Sequence, residues 1–150
     1  MPVPDFTENG ILPAGIHSCS LPEAAQFLCV NDRRTEIWTG LTGFLNWSAH
    51  LPNPTAILID GSYVTDKALP SDVDIVVDIT TCQDQGQTTW LEAWDMHHVE
   101  VKQNYMVDFY PFVVGEGNDF SAFFQYVRVE EALRRGIAPT VRKGILRVEL

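Results

Sequence analysis

Residues 59 to 79, IDGSYVTDKALPSDVDIVVDI, carry the pattern on which both fold and chemistry turn. Ala56 to Ile59 is a short apolar run that stops at Asp60, Gly61 and Ser62, the form of a buried strand closed by a turn. After a loop through Pro70, residues 72 to 79 alternate. Asp72 and Asp74 fall on one face of a second strand, and Val73, Ile75 and Val77 on the other. Carboxylates two residues apart on a strand are about 6.6 Å from each other along it, close enough to grip one or two hard cations from one side. Without a metal or a proton to offset them they repel. Asp78 shares the parity of Asp74 but lies about 13 Å further along, out of reach of the same ions.

Upstream, Ser20 followed by Glu23 has the spacing of a capping box, with a short helix through Ala24, Ala25, Phe27 and Leu28. Asn31 or Asp32 can cap the next helix, in which Ile37, Trp38, Leu41, Phe44, Leu45 and Ser48 recur at three- and four-residue spacing. Residues 1 to 16, broken by Pro2, Pro4, Gly10, Pro13 and Gly15, read as an extended arm laid over the domain. Downstream, Thr88 to His98 predicts a helix through Trp90, Leu91 and Trp94, and Tyr105 to Phe112 a strand rich in aromatic and β-branched residues. Asp108 stands inside that otherwise apolar strand, where an unpaired charge is costly. Residues 119 to 135 predict a helix with Phe120, Phe123, Phe124 and Val127 on one stripe, and Gly144 to Leu150 a terminal strand. The expected architecture is α+β: one domain over residues 1–150, a small mixed β-sheet flanked by helices.

The 150 residues, 45% of them hydrophobic, suffice for one compact core. A net charge of −10 argues against a broad phosphate-gripping surface, so long nucleic acid is not the expected partner. Cys19, Cys29 and Cys82 are odd in number and lack CxxC spacing, which predicts neither a disulfide framework nor a thiolate metal site. With no basic region leading into an apolar stretch at the amino terminus and no apolar run of about 20 residues, the expectation is a cytoplasmic protein without a membrane partner.

Strand, Gly61-Ser62, Asp72-x-Asp74 and the later Asp108 together resemble the DNA polymerase beta-like nucleotidyltransferase superfamily. A looser likeness to small uncharacterised bacterial and phage members extends through Leu12 to His17 and Lys143 to Val148 and covers nearly the whole chain. The resemblance implies a minimal nucleotidyltransferase fold and metal-dependent transfer of a nucleoside monophosphate from a nucleoside triphosphate (NTP) to a hydroxyl. Under it Asp72 and Asp74 hold both Mg2+ (or Mn2+) ions. Asp108 completes the ion that activates the acceptor and can take its proton. Gly61 lets phosphates approach the backbone, and the Ser62 hydroxyl and following amides bind them. Lys67 suits a phosphate contact, or is simply solvated.

Other residues read more plainly. Asp60 and Asp66 are expected in turns. His97 and His98 read as a helix-end cluster, because sequence neighbours seldom converge on one ion. Trp38, Trp47, Trp90 and Trp94 fit core stripes, with stacking on a base as the alternative. The final 23 residues hold six basic and three acidic side chains, a local +3 against −13 for the rest. Either these charges pair among themselves, or Arg142 or Lys143 reaches the triphosphate tail.

Relatives that modify small antibiotics usually carry a further helical domain, for which there is little room here. The acceptor is then expected to be a macromolecule, or to be held across a homodimer. The acidity favours a protein hydroxyl over a long RNA, and analogy with minimal relatives points to a partner in a toxin-antitoxin or phage-defence pair. The alternative function is a noncatalytic nucleotide-sensing or partner-binding module on the same fold.

Overall fold

The computed structural model describes residues 3–113, 129–138 and 140–150. Its centre is a five-stranded mixed sheet: β1 (Ile16–Cys19), β2 (Ala56–Asp60), β3 (Val73–Asp78), β4 (Val107–Phe112) and β5 (Ile145–Glu149), in the order β1-β5-β2-β3-β4. β1 runs parallel to β5 and β3 parallel to β4, while β2 is antiparallel to both its neighbours. The fold is α+β, as expected.

Alternation along the strands divides the sheet into two unlike faces. Ile57 and Ile59, Val73, Ile75 and Val77, Val107 and Phe109, and Leu146 and Val148 belong to one buried core with Leu28, Ile37, Leu41, Phe44, Trp90 and Val101 from the helices. Helices α1 (Leu21–Leu28), α2 (Asp32–Trp47) and α3 (Asp84–Tyr105) supply those residues. The opposite face holds a small apolar cluster, Leu58, Val76 and Ile145 with Phe112, and carries the acidic residues.

Local chemistry sets the helix starts. Ser20 and Glu23 form the capping box at α1, and the Asn31 side chain accepts from the Arg34 N–H at the start of α2. Two expectations are corrected. The arm ends before residue 16, since Ile16 already belongs to β1, and within the arm Ile11 and Leu12 are buried. The third helix extends well beyond Thr88–His98. The stripe of Trp90 and Ala93 continues to buried Val101, so α3 runs to Tyr105, and Met106 closes it in the left-handed region at φ 58° before β4 begins. His97 and His98 therefore sit within α3, not at its end. His97 packs edge-on to Trp47 and His98 stacks on Trp94. The four tryptophans lie in or against the core, as their spacing predicts.

Of the helix expected over 119–135, Val129–Arg135 is helical (α4) and residues 119–128 lie outside the described residues. Among the described residues no helix is long and apolar enough to cross a membrane.

Candidate functional site

Strand register builds the site. Asp74 on β3 pairs across the sheet with Asp60 on the antiparallel β2 and with Asp108 on the parallel β4. Register partners project to the same face, so three carboxylates stand in a row across neighbouring strands about 4.8 Å apart. Asp72, two residues before Asp74, projects to that face as well. The four acids line a cleft of about 780 Å³ together with Gly61, Ser62, Lys67, Lys102, Tyr110 and Lys143. The residues that the motif marks as ligands or phosphate contacts are brought together there: Asp72, Asp74 and Asp108 with Gly61, Ser62 and Lys67.

Electrostatics in the cleft are strained by crowding. Burial, then the Asp72, Asp108 and Asp60 carboxylates, push Asp74 up to about 6, with Lys143 opposing. Burial also raises Asp60, against the pull of Lys143 and of a hydrogen bond from the Gly61 N–H. Tyr110 is raised by burial and by its hydrogen bond with Asp108. Two lysines answer the acids. Lys143 Nζ lies 3.2 Å from Asp60 Oδ1, both side chains largely buried, although that oxygen is not in hydrogen-bond alignment. Lys102 Nζ lies 3.5 Å from Asp72 Oδ2 and 3.4 Å from Asp108 Oδ2. Among the described residues no three His, Cys, Asp or Glu side chains are already drawn in around one point as ion ligands. Like-charge repulsion and the two lysines give a physical reason for that spacing.

Gly61 is also required by the packing of the site itself. Its φ is +78°, and a Cβ there would overlap the Asp74 carboxylate. The missing side chain makes room for an acid of the site.

The loop from Gly61 to Lys67 is held from behind by Arg34, which is 2% exposed. Its guanidinium donates to the carbonyls of Tyr63 (2.7 Å), Thr65 (2.5 Å) and Lys67 (2.8 Å), and lies over the Tyr63 ring. Arg135 ties the far side, donating to Asn9 O and Asp66 Oδ1 and pairing with Glu131. Asp66 is thus a loop anchor. Asp60 is corrected from turn residue to buried member of the acidic row. Asp78 stays apart, as expected, paired with Arg147 at 3.1 Å. Of the two carboxy-terminal candidates, Lys143 lines the cleft, and Arg142 is not among the described residues that do.

The fold and its acidic face define a small α+β domain with a polar cleft at the strand ends. The chain belongs to a family of unknown function, DUF6932, whose model matches residues 4–149. No curated protein and no solved structure matches it.

Proposed function

We propose that this cleft is the active site of a nucleotidyltransferase that moves a nucleoside monophosphate from an NTP onto a hydroxyl acceptor. The observation that carries the reading is the register placing Asp74 between Asp60 and Asp108, beside Asp72 and next to the Gly61–Ser62 turn. An all-oxygen, all-carboxylate donor set fits Mg2+ or Mn2+, and a buried carboxylate held up to about 6 by its neighbours is one that a cation would relieve. Asp72, Asp74 and Asp108 would hold the cation, which when bound neutralises charge on the triphosphate and polarises the acceptor oxygen.

The chain's own groups do the rest. Ser62 and the amides beside it bind the outer phosphates, with Lys67 and Lys143 as the nearby cations. Asp108, at the open edge of the acidic row, accepts the proton of the acceptor hydroxyl. The acceptor oxygen bonds to the α-phosphorus as the bond to the bridging oxygen breaks, and pyrophosphate departs with that electron pair. The net charge of −10 supports a protein hydroxyl as acceptor in preference to a long nucleic acid.

One observation favours a second reading, a noncatalytic nucleotide-sensing or partner-binding module: Lys102 and Lys143 already answer part of the acidic charge without a cation. Incubation with each labelled NTP, Mg2+ or Mn2+ and the product of the neighbouring gene, followed by mass spectrometry of all components, separates the two. A single monophosphate on a protein side chain supports transfer. Binding without any transfer supports the module, and a lengthening oligonucleotide would place the chain among polymerases.

A further inference from the structure

The two lysines paired with acids of the cleft, Lys102 and Lys143, are not equivalent. Lys143 and its partner Asp60 have side chains only 14% and 4% exposed, so this pair is fixed in the floor of the site. Lys102 is 52% exposed, on the last turns of α3, and its ammonium stands between Asp72, in the residue just before β3, and Asp108 on β4.

We propose that Lys102 is a resident, exchangeable cation of the site: it occupies the position between Asp72 and Asp108 that a divalent ion shared by them would take, and it swings out when that ion loads. The inference rests on the reading of these acids as metal ligands. Geometry leaves no room for both. An ammonium within 3.5 Å of an oxygen of each carboxylate fills the gap, and a divalent ion must approach the same oxygens to about 2.1 Å. Two cations at that separation repel strongly in a partly buried cleft. A half-exposed lysine on a four-carbon stem can leave at little cost, whereas Lys143 would abandon a buried carboxylate. The arrangement offsets part of the acidic charge before an ion loads, and it sets a threshold for loading.

Mn2+ titration of the nucleotide-free chain, followed by electron paramagnetic resonance of the free ion, tests this without any readout of activity. Lys102→Met is expected to bind Mn2+ about tenfold tighter than the wild type, because the competitor is gone. Lys102→Arg, which keeps the charge, is expected to stay within about twofold of the wild type or to bind more weakly. Equal or weaker binding by a folded Lys102→Met overturns the proposal; Lys102→Gln repeats the test should the methionine variant not fold. No Mn2+ binding by any of these chains overturns both this proposal and the metal-site reading, so the two failures are distinct.

Discussion

The Asp74 carboxylate fills the space that Gly61 leaves by having no side chain, across the register that pairs β2 with β3. At φ +78° any other residue is strained there as well. Gly61→Ala is expected to displace the carboxylate, to cost about 1–3 kcal/mol of stability, and to abolish Mn2+ binding. Urea denaturation and a Mn2+ titration check both, and an alanine variant with wild-type metal affinity would detach Gly61 from the site.

Asp74 is expected to trade stability for function. Its pKa in the folded chain, about 6, lies above the ordinary value of 3.8, so the folded state binds the proton more tightly than the unfolded one. The ionised carboxylate therefore costs stability above pH 6, and the cost fades as pH falls from 6 toward 4. In metal-free protein, Asp74→Asn should be more stable than the wild type by about 1–3 kcal/mol at pH 7.5, and the difference should fall to about a third by pH 4.5 and toward zero below pH 3.8. Thermal midpoints of both chains across this range provide the test; a destabilised asparagine variant at pH 7.5 would contradict it.

Arg34 is a buried cation whose guanidinium is met by carbonyls of the loop it holds. Arg34→Met is expected to lose about 3–5 kcal/mol, as when a buried polar network is broken, and Arg34→Lys to recover only part, since one ammonium cannot span the same carbonyls. Denaturation curves measure the loss. A loss below about 1 kcal/mol for the methionine variant would show that the loop stands without this anchor.

These residues differ in how far the sequence discloses them. Asp72 and Asp74 are legible because a period of two puts them on one face, and Asp108 because it interrupts an apolar strand. Asp60 is not, since beside Gly61 it reads as a turn, and only the pairing of β2 with β3 places it opposite Asp74. Lys102 is hidden because Val99 and Val101 weaken the helical pattern where packing of α3 overrides it. Arg34, between Arg33 and Thr35 in a polar first turn, looks like any solvated charge until the loop folds over it. The short strand β1 lies behind the Pro13 and Gly15 breakers, and among the described residues its strand partner is β5, far along the chain.

Lys143 rather than Arg142 is expected to serve the triphosphate. Lys143→Ala should weaken nucleotide binding by about 1–3 kcal/mol, the range for charge-assisted hydrogen bonds, and Arg142→Ala should change it little. Because Lys143→Ala also leaves Asp60 buried and unpaired, the affinity is best compared in the Asp60→Asn background, where that penalty is removed. Equal losses for the two alanine variants would return this segment to a general electrostatic role.

Calorimetry of an NTP titrated into the protein with and without Mn2+ addresses the central claim most directly, using the wild type, Asp74→Asn and Asp108→Asn. The account predicts binding that requires Mn2+ in the wild type and is lost in both folded variants, because under the proposed reading Asp74 and Asp108, register partners on β3 and β4, would hold the cation with Asp72. Equal nucleotide and metal affinity in all three chains would contradict it.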